Sequence, residues 1–168
     1  MAAGRTYEPI ATQTLSSNQS TVTFSSIPQT YTDLIIIGGS AAGGDAGLCL
    51  RFNGDSSSNY SWTALTAGDG LQGYVSATNT TFIQTAYFAY LPSTNSYTGI
   101  MNIPSYTNSN INKTVLTRGS NAATGAGVDL NIGTWRNTAA ITSISIILAN
   151  GGSINTSSTF TLYGITAA

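Results

Sequence analysis

The sequence predicts an all-β fold of about ten short strands, a two-sheet antiparallel β-sandwich or a jelly roll, and three observations carry that prediction. Apolar and polar residues alternate with period two in most segments, and no stretch keeps a 3.6-residue apolar period for three turns. Short runs of β-branched and aromatic residues recur at near-regular spacing between clusters of Gly, Pro, Asn, Asp and Ser. Charged residues make up 7% of the 168 residues and hydrophobic ones 41%, so the chain folds with a neutral polar surface; a disordered chain would be charged and poor in aromatics.

In chain order, the first strand candidates are Ile10 to Leu15, Thr21 to Phe24, Leu34 to Gly38, Leu48 to Phe52 and Tyr60 to Leu65. Leu34-Ile35-Ile36-Ile37 is apolar on both faces, which suits a central strand. Thr81 to Leu91, with a break, Gly99 to Ile103 and Thr114 to Arg118 follow. The alternation is cleanest late in the chain. Val128, Leu130 and Ile132 alternate with Asp129 and Asn131; Ile144, Ile146 and Leu148 with Ser145 and Ile147; Phe160 and Leu162 with Thr161 and Tyr163. Each of these has one face for a core and one for water or a partner.

Turn chemistry separates the strands at Ser25-Ser26-Ile27-Pro28-Gln29, Gly38 to Gly44, Asn53-Gly54-Asp55, Gly68-Asp69-Gly70, Pro92 to Asn95 and Asn150-Gly151-Gly152. Asn53-Gly54 tolerates the positive φ of a tight hairpin, while the following Asp55 to Asn59 points to a longer loop. The length fits one domain over residues 1–168, with residues 1–8 as a candidate extended N-terminal arm. No repeat of 20–50 residues marks a solenoid or a propeller.

The inventory of reactive groups argues against an enzyme. There is no histidine, one cysteine, and six scattered acids (Glu8, Asp33, Asp45, Asp55, Asp69, Asp129). General acid-base work, nucleophile activation and most transition-metal sites draw on His, Cys or clustered carboxylates. No catalytic residue, cofactor site or metal site is therefore expected. Cys49 reads as a small buried hydrophobe. Asn53, Asp55, Ser57 and Asn59 alternate oxygen ligands of the kind calcium takes, but with a single acid; an Asx-turn or an ion pair of Asp55 with Arg51 is the preferred role. Asn-x-Ser/Thr triplets such as Asn18-Gln19-Ser20 and Asn59-Tyr60-Ser61 follow from composition.

Net charge is −1, and the five basic residues (Arg5, Arg51, Lys113, Arg118, Arg136) are spread along the chain, which disfavours nucleic acid as a partner. The N-terminus lacks a leader's apolar core and no run is long enough to span a membrane, so the chain is expected to be made in a cytoplasm with no membrane partner. Low charge gives little colloidal protection, pointing to surfaces covered in an assembly. Nine Tyr and two Trp supply amphipathic contact area. Tyr60 and Trp62 share a strand face, and the core is the better home for both. Trp135 has two readings. It lies on the polar face with Asp129 and Asn131, beside Arg136 and Asn137, covered by a neighbour; or the strand ends at Gly133-Thr134 and Trp135 folds back on the core. Tyr7, Trp135, Arg136 and Asn137 are the candidate interface residues.

Thr14 to Ser17, Thr21 to Leu34, Arg51-Phe52-Asn53-Gly54-Asp55, Trp135 to Ile144 and Thr161 to Ile165 resemble, in order and over nearly the whole chain, small structural proteins of tailed bacteriophages, especially those of cyanobacteria and marine bacteria. The resemblance implies a virion β-sandwich of jelly-roll type assembling as a homo-oligomer, often a trimer, on the capsid or in a tail appendage, with no catalytic residue. The expected role is a capsid decoration, or cement, protein whose partners are its own copies and the major capsid protein or another virion protein. The alternative is a tail-fibre or appendage module that binds host surface glycans.

Overall fold

The alternating segments form strands, and no helix occurs among residues 6–40, 46–68, 71–85, 97–121 and 127–166, which the computed structural model describes. The strands are β1 (Tyr7–Thr14), β2 (Thr21–Phe24), β3 (Asp33–Ser40), β4 (Leu48–Phe52), β5 (Tyr60–Gly68) and β6 (Leu71–Thr80). They continue with β7 (Ile83–Gln84), β8 (Tyr97–Ile103), β9 (Lys113–Asn121), β10 (Val128–Trp135), β11 (Ile144–Leu148) and β12 (Thr159–Ile165). All pair antiparallel, in an eight-stranded sheet of order β1-β12-β3-β8-β9-β10-β5-β6 and a four-stranded sheet of order β2-β11-β4-β7. The all-β sandwich is thus the observed fold, and β3 is an interior strand as its two apolar faces require.

The chain changes sheet at almost every step. β1, β3, β8 and β12 lie in the large sheet, and β2, β4, β7 and β11 in the small one. Two hairpins, β5–β6 and β9–β10, extend the large sheet beyond β8. Their residues add a platform to the sandwich.

The core lies between the sheets, because alternation places every second side chain on the facing surfaces. The small sheet contributes Val22, Phe24, Leu48, Leu50, Phe52, Ile144, Ile146 and Leu148; the large sheet contributes Leu34, Ile36, Met101, Ile103, Phe160 and Leu162. Tyr97, fully buried, lies across β8 and β9 where both strands carry glycine: a Cβ on Gly99 or Gly119 would come within 2.0 Å or 2.4 Å of its hydroxyl. The ring needs the space that only two glycines leave.

Asn53 and Gly54 have positive φ (52° and 69°) within the longer loop that Asp55 to Asn59 suggested: β4 belongs to the small sheet and β5 to the large one, so this loop carries the chain across the sandwich. Two expectations are corrected. Tyr7 and Glu8, assigned to an arm, begin β1 and pair with Ile165 and Gly164. The alternation in β10 runs with the opposite sense, since Asp129, Asn131 and Gly133 face the core while Val128, Leu130 and Ile132 are 50%, 44% and 52% exposed. Trp135 sets this parity, because a period of two ties its inward position to 133, 131 and 129. The structure also has one strand the sequence did not predict, β6, formed where β5 offers a pairing edge. Residues 1–5 of the candidate arm, the Ala41 to Gly44, Asp69-Gly70 and Pro92 to Asn95 turn candidates, and residues 86–91 of the Thr81 to Leu91 strand candidate lie outside the described residues.

Candidate functional site

Trp135 is 1% exposed, so it cannot be an interface residue as it stands. Its indole stacks on Tyr60 (centroids 6.2 Å apart, 15° between planes) and meets Phe52 at 5.6 Å. The Nε1–H donates to Asp55 Oδ2 at 2.8 Å. Both sequence readings were half right: Trp135 shares the face of Asp129 and Asn131, and that face is the core side.

Asp55 anchors the crossing loop. Its carboxylate also accepts from the Ser57 amide (2.8 Å), which is the Asx-turn, and from Asn59 Nδ2 (3.0 Å). Hydrogen bonds from Asn59 and Trp135 hold the carboxyl down at about 2. The Arg51 guanidinium instead donates to Thr81, through Nε to the carbonyl at 2.9 Å. Asn53 Oδ1 accepts from the Thr142 and Ser143 amides at 2.8 and 3.1 Å. Of the loop oxygens considered for calcium, those of Asn53 and Asp55 are therefore turned toward N–H donors.

Arg136 is exposed but tethered, with Nη2 donating to the Ser58 carbonyl and to Asn79 Oδ1, each at 2.8 Å, and Nη1 to Ser61 Oγ. Asn137 Oδ1 accepts from the Ala139 amide at 2.9 Å. Tyr7 is 55% exposed on β1, five strands from β10. At about 4.8 Å per strand that is about 24 Å, so the four candidate residues form no common patch.

Titratable groups are dispersed. Glu8 accepts from the Tyr31 hydroxyl (3.1 Å), Asp33 from the Ser105 amide (2.7 Å), and Asp129 is buried; Asp45 and Asp69 lie outside the described residues. Among the described residues no three of His, Cys, Asp and Glu are grouped to hold a metal. Cys49 is fully buried, and burial pushes its thiol up, away from the reactive thiolate. Lys113, also fully buried, donates Nζ to the carbonyls of Asn108 (2.6 Å), Ile111 (2.9 Å) and Thr138 (2.8 Å). It is a structural staple between two loops; desolvation lowers its pKa.

The feature that the sequence reading missed is the outer face of the large sheet. One cross-strand row runs Tyr74–Leu65–Leu130–Arg118–Ile100–Ile37 from β6 to β3. The neighbouring row pairs Ile132 with Leu116, and Val128 lies on the other side opposite Ala67. Tyr74 is 77% exposed and Leu65 54%. Four strands at about 4.8 Å and three rungs at about 6.7 Å span roughly 400 Å², which Thr63, Gln72, Ser76, Arg118 and Ser120 share with the apolar side chains. Contiguous exposed apolar side chains often mark an interaction site. A shallow depression between Leu65, Ala67, Gln72, Val128 and Leu130 indents it. The signal was present as the Val128/Leu130/Ile132 alternation; which side faced out was not. No protein-family model matches the chain, and neither a curated protein nor a solved structure matches it.

Proposed function

We propose that this chain is a structural protein of a virion, a capsid decoration (cement) protein that lays the outer face of its large sheet on the assembled head and stabilises it. The observation that carries this reading is the outward apolar face on the added β5–β6 and β9–β10 hairpins, six of whose side chains, Leu65, Tyr74, Leu116, Val128, Leu130 and Ile132, are at least 40% exposed. A protein that binds only the assembled shell stabilises that state by mass action, and apolar area supplies the affinity. The strand order supports a jelly roll: β1-β12-β3-β8 against β2-β11-β4-β7, with the chain alternating between the two quartets and two hairpins inserted. Capsid proteins use that architecture, and so do lectins. The protein acts as a homo-oligomer, for which the phage resemblance implies a trimer, and its place is the virion.

The test is binding of the purified protein to tail-free heads, followed by co-sedimentation. Leu130→Asp and Ile132→Asp should each weaken binding at least tenfold while leaving the fold intact, since both side chains point to solvent. Unchanged binding by both, or heads whose mass spectrum lacks this chain, would overturn the assignment.

A second reading, a tail-appendage module for host surface glycans, rests on Tyr74, an exposed aromatic with the amide of Gln72 nearby on the same strand. Trp135 is removed from that reading by its burial. Glycan-array binding lost on Tyr74→Ala, with no binding to heads, would favour it.

A further inference from the structure

We propose that β6 is an open sheet edge on which a second copy of this chain pairs, antiparallel across a two-fold axis, so that two large sheets continue into one. A free edge presents a row of unpaired amides and carbonyls, and folded proteins blunt it with charge, proline, bulges, shortness or cover. Three of the four edges here are treated so. β1 carries Glu8 and Pro9, and its register shifts between Pro9 and Ala11. β2 has 4 residues, and Gln13 Nε2 donates to its Thr23 carbonyl at 2.6 Å. β7 has 2 residues.

β6 is different. It runs for 10 residues, LQGYVSATNT, without a charge or a proline, and among the described residues no strand pairs with its outer edge. Its register with β5 shifts once, at Asn79 (φ 55°) near its C-terminal end, and is regular from Ser61↔Thr78 to Gly68↔Leu71, so the edge is unbroken over that length.

The occupant follows from the same residues. In an antiparallel pair about a two-fold, each residue of β6 meets another residue of β6, so a strand with no charge brings no like charges together in any register. Either end strand of the large sheet could accept a neighbour, but β1 with its charge, proline and irregular register is the poorer partner. Residues opposite each other in such a pair share a face. The two outer faces then lie on the same side, and the rows ending at Tyr74 in each copy flank a seam that Gln72, Ser76 and Thr78 also line. The pairing is therefore two-fold, where the phage resemblance implied three-fold assembly. Its use in docking rests on the proposed head-binding reading; the pairing itself does not.

Ser76 is exposed near the middle of β6, so in a pair centred on this strand a charge there lies opposite its own copy or diagonally next to it. The full chain, run on size exclusion with light scattering, should have twice the mass of 17.3 kDa. Ser76→Lys and Ser76→Glu alone should each run as single copies, and an equimolar mixture of the two should recover the double mass. Recovery separates edge pairing from misfolding, since a misfolded variant is not rescued by its opposite charge. Circular dichroism of each variant must match the parent. A parent chain of one or three copies, or variants that keep the double mass, overturns the proposal. Leu130→Asp, which should keep the double mass and lose head binding, makes failure of the pairing distinguishable from failure of the docking face.

Discussion

Replacing Asp55 with alanine should destabilise the protein by about 2 kcal/mol, through a hydrogen bond that lies at the edge of the core. Asp55 accepts from Ser57 N, Asn59 Nδ2 and Trp135 Nε1. The first two donors sit in an exposed or half-buried loop and return to water at small net cost. The indole N–H belongs to a residue 1% exposed, and stranding a buried donor costs about 1–3 kcal/mol. Loss of the Asx-turn loosens a loop that also receives the Tyr60 hydroxyl on the Asp55 carbonyl at 3.0 Å. For a domain of this size, about 2 kcal/mol corresponds to a fall in Tm of about 4–8 °C. Urea unfolding followed by Trp fluorescence measures the difference directly.

Two controls make the reasoning refutable. Asp55→Asn keeps the shape, yet an amide that accepts from Ser57 N through one atom turns its own N–H₂ toward Trp135 Nε1 and Asn59 Nδ2, so it should recover little of the stability. The second control is pH. The folded carboxyl sits at about 2 against its ordinary 3.8, so the native state favours the charged form. The stabilisation is complete above about pH 4 and is lost as pH falls from about 4 through about 2. The gap between parent and Asp55→Ala should therefore close over that range, whatever the other carboxylates do to both proteins. A full-strength Asp55→Asn protein, or a gap independent of pH, would refute the argument.

Other expectations concern the interior of the large sheet. Gly99→Ala places a Cβ 2.0 Å from the hydroxyl of the fully buried Tyr97, which has no room to retreat; overpacking should cost about 1–3 kcal/mol in urea unfolding. Asn131→Leu should raise stability by about 1–3 kcal/mol, because Asn131 is 1% exposed and neither Nδ2 nor Oδ1 has a hydrogen-bond partner among the described residues. A loss of stability in that variant would refute the reading of an unsatisfied amide whose removal is favourable.

Much of this architecture was legible in the sequence because its signal is local. Period-two alternation marked β10, β11 and β12; the apolar run Leu34 to Ile37 marked an interior strand; and Asn53-Gly54 marked a positive-φ turn. β6 was not legible, since Gly73, Ser76, Thr78 and Asn79 give no apolar alternation, and it exists by pairing with β5. Of the candidate interface residues, Tyr7 and Arg136 are exposed and Trp135 is buried. The outward apolar face was invisible for a physical reason. Alternation tells which residues share a face, and it does not tell which face meets the core. By itself the sequence determined an all-β chain with few reactive groups; only the tertiary structure decided that Trp135, stacked on Tyr60 and bonded to Asp55, turns Asp129 and Asn131 inward and leaves Val128, Leu130 and Ile132 facing out.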